Sequence, residues 1–493
     1  MSTVVDGVSA GVGAGITRAL RAHPVRLAFV ASLLLSLVAL LGSSALSRDA
    51  AYYLDIARQV NEDGLQAGWR VFDWPWFTFL LAGTHGITHL PLEWCANLWC
   101  ALFMAGTCAL LVDCVRQRVP AAAGWACLLV LAMPAINQFR DDIIREYGFW
   151  FFCVLALWLT MRWQVRGGWV LAAGMHLAVG MAALFRLEAL MLVAALGAWQ
   201  LVELYTRRNV QRFAQFVALP VLAVVVGLLI ILEKGGLSLA RVDYYLGLIN
   251  PQKVFIAFRQ LAEQFGNSLT LKYSRDEAGR IIFFGLLASL LIKFVALMGP
   301  FSLPFLHRST WQAVRTYLRE YQPFAWAGLL YLIVLMLFYI KLQFMNSRYL
   351  SFLNVLALPL LAIGAMLFAQ RFARLAKVLA VIGLLVMLAN VISTGAGKGQ
   401  LVDSGRWIAE HIDPKASLYY EDSRIGYYAG RGYREVLPRD QAIDDAHVGN
   451  YSYFALEARA DEPWLVAWLD KHQLRVLASF SNRKKATVLV IGR

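Results

Sequence analysis

The sequence is poor in charged residues and has no motif that would cradle a nucleotide. Of its 493 residues, 16% are charged and 59% are hydrophobic, whereas soluble proteins carry about 25% charged residues. This scarcity of charge excludes a soluble multidomain enzyme. Neither a GxxxxGK(S/T) loop nor a GxGxxG loop after a strand-like segment occurs, so the sequence argues against transport driven by ATP bound to this chain.

Cysteine is missing from the C-terminal region 394–493, which excludes a disulfide framework there. All cysteines fall in or beside apolar runs, and none has the spacing of zinc ligands. They are Cys95, Cys100, Cys108, Cys114, Cys127 and Cys153. We interpret them as small apolar packing residues.

Long apolar runs are abundant. A membrane-spanning helix needs about 20 mostly apolar residues. Eleven such runs occur, at about 26–46, 93–113, 120–136, 147–163, 169–187, 189–205, 213–232, 281–303, 324–342, 349–369 and 377–393. The sequence therefore predicts an α-helical polytopic membrane protein with about 11 spans. Because this number is odd, it places the two termini on opposite sides of the membrane.

The distribution of basic residues predicts the orientation. Lys and Arg total 46 against 32 Asp and Glu, a net charge of +14. Such an excess is typical of nucleic-acid binding or of cytoplasmic membrane-protein loops. Here the basic residues recur in every second connection, as at Arg116, Arg118, Arg207 and Arg208. This pattern favours the membrane over nucleic acid, and it predicts a cytoplasmic N-terminus with the mixed-charge loops and the tail facing outward.

The predicted organisation has three parts. Residues 1–25, rich in Gly, Ala and Ser, are expected to be a disordered cytoplasmic segment. Residues 26–393 form the transmembrane part, whose first run acts as a signal anchor. Its outward loops are 47–92, 137–146 and 233–280. Residues 394–493 form a small α/β domain on the periplasmic side, with helices at VDSGRWIAEHI and PWLVAWLDKHQ, a strand at ASLYYED, and a hairpin of LRVLASF and ATVLVIG.

One acidic residue follows the first predicted span, in the segment SRDAAYYLDIARQ. On a helix, Asp49, Tyr52 and Tyr53 share one face, while Asp55 can pair with Arg58 at the next turn. A carboxylate at the membrane surface beside tyrosines can act as a general base. In the alternative interpretation, Asp49 caps an interfacial helix and the tyrosines form an aromatic belt.

A second acidic cluster, in QFRDDIIREYGFW, precedes the fourth predicted span. On a helix, Asp142 lies one turn from Arg145 and Glu146, and Asp141 lies one turn from Arg145. Ionisable residues at the membrane are costly unless they are paired or functional. One interpretation is therefore a functional carboxylate. In the other, Asp141 or Asp142 caps the following helix, with an ion pair behind it.

Basic side chains at the predicted outer surface are candidates for binding an anionic head group. Arg348 and Tyr349 lie at the outer mouth of the tenth predicted span, with Lys341 nearby, and Arg186 interrupts two apolar runs together with Glu188. A guanidinium binds a phosphate through two parallel hydrogen bonds, which a flexible lysine does less well. The alternative for Arg348 is an arginine that snorkels to the interface.

Taken together, these segments resemble the GT-C superfamily of integral-membrane glycosyltransferases, in the branch of the lipid A aminoarabinose transferase and the protein O-mannosyltransferases. The resemblance covers most of the chain. It rests on the order of Arg48-Asp49-Ala50-Ala51-Tyr52-Tyr53, Asp73-Trp74-Pro75-Trp76, Arg140-Asp141-Asp142, Arg348-Tyr349-Leu350 and Tyr427-Tyr428-Ala429-Gly430-Arg431. Many relatives have Glu where Ala50 follows Asp49. Whether Asp141 or Asp142 matches the family's second carboxylate stays open.

The resemblance implies an inverting glycosyltransferase of the bacterial inner membrane. Its donor would be a polyprenyl-phosphate sugar such as one on undecaprenyl phosphate, and its acceptor a hydroxyl of a lipid, glycan or protein on the periplasmic face. Asp49 would deprotonate the acceptor, and Asp141 or Asp142 would orient it. Arg348 leads the candidates for binding the donor phosphate, followed by Arg145, Arg186 and Lys341. Substrate contacts are expected from Tyr52, Tyr53, Tyr349 and Glu146.

The competing prediction is a transporter or flippase of a lipid-linked sugar, which would show inverted repeats and broken helices near the midplane. The span spacing is irregular and the charges cluster at one face, which favours the transferase. No cofactor is indicated by the sequence, and metal dependence stays open. His85, His89 and Glu93 are spaced for metal on a helix, but a divalent metal is not otherwise indicated. The expected partners are the donor, the acceptor and membrane lipids.

Overall fold

A computed structural model describes residues 22–233, 247, 250–392 and 397–493. Most of the predicted N-terminal segment 1–25 and the start of the predicted loop 233–280 lie outside the described residues. By their contacts, the described residues form two units. The first runs to Leu37 and includes Trp99–Arg140 and Arg145–Val391, and the second consists of Val38–Leu98, Asp141–Ile144 and Ile392–Arg493.

The described chain is mostly helical. The helices of its first half are α1 (Pro24–Gly42), α2 (Arg48–Asp63), α3 (Leu65–Val71), α4 (Trp76–Thr88), α5 (Leu92–Arg118), α6 (Ala123–Ala132), α7 (Pro134–Asn137), α8 (Glu146–Arg166), α9 (Trp169–Phe185), α10 (Met191–Arg207) and α11 (Val210–Glu233). Those up to the tail are α12 (Pro251–Ser268), α13 (Lys272–Asp276), α14 (Ala278–Met298), α15 (Arg308–Tyr317), α16 (Gln322–Leu342), α17 (Ser347–Arg371) and α18 (Ala373–Val391). Short 3₁₀ turns occupy Pro120–Ala122, Leu187–Leu190, Gly299–Leu306 and Leu318–Tyr321.

Nine helical segments among the described residues are long and apolar enough to cross a membrane. They are built on α1, α5, α8, α10, α11, α14, α16, α17 and α18. Two of the eleven predicted spans, 120–136 and 169–187, correspond instead to shorter apolar helices at Pro120–Ala132 and Trp169–Phe185. The predicted polytopic helical architecture is therefore confirmed. The two other apolar helices have 10–17 residues, whereas each of the nine long segments has at least 18.

Helix α17 lies at the centre of the first unit. It packs against α6, α14, α15, α16 and α18. In an apolar stretch of 18 residues within this helix, 72% is buried. A neighbouring ring approaches α17 closely at Gly364, which has no side chain. A Cβ at this position would lie 2.4 Å from the Phe305 ring. Leu, Ile, Val and Ala residues lie on every side of α17 and supply this packing, as expected for a helix surrounded by other helices.

The second unit begins with three helices of the first predicted outward loop. Ser47 is the N-cap of α2, and its Oγ accepts a hydrogen bond from the Ala50 N–H at 3.3 Å. Gly64, with φ of +85°, ends the helix in a conformation that glycine adopts without strain. Helices α3 and α4 pack back onto α2. The predicted Asp55–Arg58 ion pair is confirmed, with Nη2 donating to Oδ1 at 2.8 Å.

The tail of the second unit is an α/β domain with one four-stranded sheet. Its elements are α19 (Gly399–His411), β1 (Leu418–Tyr420), α20 (Ser423–Tyr428), α21 (Arg439–Ala442), β2 (Tyr453–Glu457), α22 (Pro463–His472), β3 (Arg475–Ser481) and β4 (Thr487–Gly492). The strand order is β1-β2-β4-β3, with β1 and β2 parallel and the other pairs antiparallel. Both predicted helices, the β1 strand and the β3–β4 hairpin are confirmed. Strand β2, which lies beside β1 and β4, was missed.

Strand β4 forms the middle of the tail's core. Val488 and Val490 face one side of the sheet with Leu401 and Ile408 of α19. Leu489 and Ile491 face the other side, against Leu465 and Trp468 of α22. Alternate residues of a strand point to opposite faces, so a continuous apolar run in β4 is buried by a helix on each side.

Candidate active site

A cavity of about 600 Å³ lies within the second unit. It is lined by residues 43–48, between the end of α1 and the start of α2, together with Asp141, Asp142, Gly397, Lys398 and Arg424. Four separate stretches of the sequence therefore contribute to it. Its volume is in the range typical of ligand pockets, about 300–1,000 Å³.

Two carboxylates and three cations face this cavity. Asp141 is exposed and Asp142 is half-buried. Partial desolvation by the surrounding protein raises the pKa of the Asp141 carboxyl from its ordinary value. Neither residue caps the next helix, because the N-cap of α8 is Arg145. The alternative interpretation of Asp141 or Asp142 as a helix cap is therefore wrong.

Arg48 and Arg424 share one buried acid, Asp422. The Arg424 guanidinium donates from Nε to Oδ1 at 2.8 Å and from Nη2 to Oδ2 at 2.6 Å. Arg48 donates from Nη2 to the same Oδ2 at 3.1 Å. The Asp422 side chain is 0% exposed, and these donors hold its pKa well below the usual range. The network joins the start of α2 to the tail.

Further hydrogen bonds support the same junction. Arg424 Nη1 donates to the Leu46 carbonyl at 3.3 Å, and the Leu46 N–H donates to Tyr428 Oη at 2.8 Å. The Lys398 N–H donates to Ser44 Oγ at 3.0 Å. Hydrogen bonds between residues 43–48 and the tail therefore hold the lining of the cavity in place. Among the described residues, the Lys398 ammonium makes no hydrogen bond or ion pair, so it is the cation best able to meet a ligand.

Replacing Asp422 by Asn should destabilise the second unit by about 3 kcal/mol, because the buried Arg424 guanidinium loses its counter-charge. Hydrogen exchange of α20 and α2 in the full-length protein would measure this. Folding lowers the pKa of Asp422, so the ionised carboxylate stabilises the folded protein. This stabilisation is fully present above the pKa of an unfolded Asp, near 4, and is lost as the pH falls below that value.

Asp461→Asn is the matched control for that experiment. Asp461 pairs with Arg459 on the surface, where the two side chains are 68% and 67% exposed, and such pairs contribute about 0–1 kcal/mol. Equal exchange in the Asp422 and Asp461 variants would contradict the structural role of Asp422.

Asp49 lies in the first turn of α2, directly after the cavity-lining Ser47 and Arg48. Its side chain is half-buried and is itself engaged in contacts. The N-cap is Ser47, so the alternative interpretation of Asp49 as the cap of this helix is wrong. Asp49 is not among the residues that line the 600 Å³ cavity.

The two predicted substrate-binding tyrosines of α2 pack within the first-loop helices. Tyr52 Oη donates to the Val71 carbonyl at 3.1 Å, and its ring lies edge-on to Tyr433 with centroids 5.4 Å apart. Tyr53 is 7% exposed and lies edge-on to Phe77. These contacts favour a packing role for Tyr53, while the half-buried Tyr52 keeps one side accessible.

The remaining predicted site residues belong to the first unit. Arg186 is buried and donates to Glu146 Oε1 at 2.7 Å and to Glu188. The Arg186 guanidinium carbon also lies 4.5 Å from the centre of the Tyr349 ring. Arg186, Glu146 and Tyr349, predicted as separate ligands of donor and substrate, thus form one cluster, in which Arg186 and Glu146 are buried and Tyr349 is half-buried. Because two carboxylates already neutralise the guanidinium, this geometry favours a structural role for Arg186.

Arg348, Lys341 and Arg145 occupy more open positions. Arg348 and Arg145 are half-buried and Lys341 is exposed, and each takes part in contacts. Sequence reasoning missed Lys253, whose ammonium approaches the same glycine as that of Lys341. A Cβ at Gly247 would lie 3.8 Å from Lys341 Nζ and 3.9 Å from Lys253 Nζ.

Within the described part of the chain, no three His, Cys, Asp or Glu side chains are arranged to hold a metal ion. His85 Nδ1 lies 2.6 Å from the Leu90 carbonyl, and Glu93 Oε1 accepts from Tyr427 at 3.5 Å. The spacing of His85, His89 and Glu93 therefore does not produce a metal cluster here.

The fold has solved counterparts, although no family model and no curated protein matches the sequence. ArnT from Cupriavidus metallidurans superposes with a TM-score of 0.59 in its apo state and 0.60 bound to undecaprenyl phosphate. Each alignment covers 94% of this chain and 97% of ArnT, at 14% identity. The chain has the GT-C fold.

The GT-C fold confirms the predicted class, a polytopic helical membrane protein with a small α/β tail. The arabinofuranosyltransferase AftD from Mycobacteria aligns with a TM-score of 0.44 at 16% identity, over 95% of this chain and 39% of its own. The match to ArnT extends over the tail as well as the helices, because it leaves only 6% of the chain unaligned.

Proposed function

We propose that the chain is an inverting glycosyltransferase. It would move a sugar from a polyprenyl-phosphate donor to a hydroxyl of a lipid, glycan or protein. The observation that carries this proposal is the cavity in which Asp141 and Asp142 face Arg48, Lys398 and Arg424, in a chain with the GT-C fold. The structure of ArnT bound to undecaprenyl phosphate supports a polyprenyl phosphate as the lipid carrier.

The proposed reaction is a single displacement at the anomeric carbon. The acceptor oxygen forms a bond to this carbon, and the bond from the carbon to the phosphate oxygen breaks. The acceptor proton passes to a carboxylate, and the polyprenyl phosphate leaves with the bonding electron pair. Attack opposite the leaving group inverts the configuration. A positioned carboxylate contributes about 100- to 10,000-fold to such a proton transfer.

We assign the general base to Asp49 and acceptor binding to the cavity. Asp49 belongs to the same unit as the cavity and directly follows its lining residues Ser47 and Arg48. Asp141 and Asp142 would hold the acceptor by accepting hydrogen bonds from its hydroxyls. Asp141, whose pKa is raised, is the second candidate for the base, because a more basic carboxylate accepts a proton more readily.

The leaving phosphate needs stabilisation of its charge more than protonation. Arg348 and Lys341 remain the proposed phosphate ligands, and Lys253 joins them because its ammonium, like that of Lys341, lies within 4 Å of the Cβ position of Gly247. Arg145 is a lesser candidate at the start of α8. Arg186 is removed from this set, since Glu146 and Glu188 already neutralise it. Fixed cations at a developing charge lower the barrier without reorganising.

We further propose that the protein lies in the bacterial inner membrane with its N-terminus in the cytoplasm and the tail in the periplasm. The basic connections support this orientation. A lipid-linked donor suits that face, because no nucleotide is available there to carry the sugar.

The proposal can be tested with purified full-length protein and a radiolabelled polyprenyl-phosphate sugar. Mass spectrometry of surface glycoconjugates from cells with and without the gene would first identify the modified acceptor. We expect label to pass to that acceptor with release of one polyprenyl phosphate for each sugar transferred. Movement of the intact donor across a vesicle membrane without transfer would instead support the flippase and contradict the transferase.

A further inference from the structure

The second unit has another cavity, of about 620 Å³, which the reaction above does not use. It is lined from within segments 414–420 and 430–437, together with Arg58 of α2 and Tyr451. None of its lining residues belongs to the 600 Å³ cavity beside Asp141 and Asp142. It is therefore a separate depression, formed mainly by the β1 side of the tail.

The charge of this second cavity is strongly one-sided. Arg58, Lys415, Arg431 and Arg434 line it, against the single acid Glu435. Asp55 and Glu62 offset the charge of Arg58, which leaves Lys415, Arg431 and Arg434 as the cationic excess over Glu435. A concave site lined by one sign of charge concentrates ligands of the opposite sign, so this cavity favours an anion.

Two of these cations are fixed by the protein and two are available. Arg58 donates to Asp55 at 2.8 Å and to Glu62 at 3.1 Å, and Arg431 donates to the Ala416 and Asp413 carbonyls. Lys415 and Arg434 are exposed, and neither side chain makes a hydrogen bond or ion pair with any part of the chain that the structure describes. Fixed arginines thus shape the cavity, while Lys415 and Arg434 can meet a ligand.

One tyrosine, Tyr451, adds an accessible ring to the lining, since it is half-buried. Tyr419 and Tyr420 also line the cavity, but they are 2% and 5% exposed and pack into the cores on opposite faces of the sheet. The rings of Tyr419 and Tyr451 lie 5.5 Å apart. Tyr419 Oη donates to the Leu437 carbonyl at 3.0 Å, which fixes its ring. Tyrosine offers a rigid ring with a polar tip, a surface that suits the mixed apolar and hydroxyl faces of a sugar.

We propose that this cavity binds an anionic saccharide, one whose sugar ring carries a phosphate monoester or a carboxylate. Tyr451 contacts the ring, and Lys415 and Arg434 hold the negative group. As a subsite for the acceptor of the transferase, this inference rests on the proposed function. It specifies that the acceptor carries a negatively charged sugar beyond the hydroxyl that reacts.

Binding of small acidic saccharides to the full-length protein tests the proposal without requiring transfer. The probes are trigalacturonate for carboxylates and glucose 6-phosphate for phosphate, with neutral maltotriose as the reference, each titrated by calorimetry. We expect one of the two acidic probes to bind and maltotriose to bind at least tenfold more weakly. The stronger acidic probe identifies whether carboxylate or phosphate is preferred.

The decisive variant removes both available cations. Lys415→Gln with Arg434→Gln should weaken binding of the stronger probe by about tenfold or more, because hydrogen bonds to charged groups are lost. The charge-conserving Lys415→Arg with Arg434→Lys should retain binding within about threefold. Arg483→Gln with Lys484→Gln is the matched control, since it removes two exposed cations from the β3–β4 turn.

Equal binding by the wild type and the Lys415/Arg434 double Gln variant would overturn the proposal, as would equal binding of maltotriose. The outcome is separable from that of the proposed function. Charge-dependent binding by a protein that transfers no sugar would leave the cavity assignment standing and sink the transferase. Transfer by a protein that binds neither acidic probe would sink this inference alone.

Discussion

Replacing Asp49 by Asn should lower the rate of sugar transfer by about 100- to 10,000-fold, because an amide cannot take the acceptor proton. Asp141→Asn and Asp142→Asn should act mainly on acceptor binding, since these carboxylates line the cavity. We therefore expect them to raise KM for the acceptor more than they lower kcat. Initial rates over a range of acceptor concentrations, with purified protein and a fixed donor concentration, would measure all three variants.

Asp63→Asn is the control for this series, because Asp63 is exposed at the other end of the same helix α2. It should transfer sugar at the wild-type rate. If Asp49→Asn retained full kcat while Asp141→Asn lost it, the base would be Asp141 and the assignment of Asp49 would be wrong. The raised pKa of Asp141 makes this the sharpest competing outcome.

Replacing Arg186 by Met should destabilise the first unit by about 3–5 kcal/mol, because the change leaves Glu146 and Glu188 buried without their cation. Thermal unfolding of the full-length protein in detergent would detect this. Adding Glu146→Gln and Glu188→Gln should recover much of the loss, since the buried charges are then removed. Arg259→Met, in an exposed pair with Glu263, should change the free energy of unfolding by less than about 1 kcal/mol.

The same Arg186 variant separates the structural role from a phosphate-binding role. If Arg186 held the donor phosphate, Arg186→Met would unfold at the wild-type temperature and raise KM for the donor. An unchanged unfolding temperature would therefore contradict the structural role that the buried pairs with Glu146 and Glu188 support.

The sequence predicted the polytopic fold well, because the length of an apolar run is enough to identify a membrane-spanning helix. The runs 120–136 and 169–187 were less well predicted, since they form helices of 10–17 residues. Proline interrupts the first of them: Pro134 starts a new short helix after α6. The second ends where Arg186 adopts an extended backbone conformation between α9 and a 3₁₀ turn.

Strand β2 was missed for a different reason. Its five residues, Tyr453–Glu457, are paired with β1 in parallel and with β4 in antiparallel register. A short central strand of this kind lacks the alternating polar face that marks an edge or half-buried strand. Its position in the sheet depends on partners that lie far away in the sequence.

The candidate site could be predicted only in part. Asp141 and Asp142 were identified from a local cluster of charge, and their place in a cavity agrees with the functional interpretation. Lys398 and Arg424 were missed, because they reach the cavity from the tail. The Asp422-Ser423-Arg424 sequence, an acid and a base two residues apart between Leu418-Tyr419-Tyr420 and Ile425, was the available indication of an ion pair. No local pattern could show that Arg48, 374 residues away in the sequence, also binds Asp422.

Local spacing also separated residues that the fold combines. Arg186 and Glu146 lie 40 residues apart yet form a hydrogen bond at 2.7 Å, so their predicted roles as independent ligands could not foresee their mutual neutralisation. Spacing rules describe neighbours on one helix, whereas this pair joins two different helical segments.

The anomeric configuration of the transferred sugar tests the central claim most directly. The protein would be supplied with a polyprenyl-phosphate sugar of known configuration and its acceptor, and the product examined by NMR. A carboxylate that activates the acceptor hydroxyl for direct attack predicts a product whose anomeric centre is fully inverted relative to the donor. A product that keeps the donor's configuration would contradict the account, because it would require a second displacement that no part of the proposed mechanism supplies.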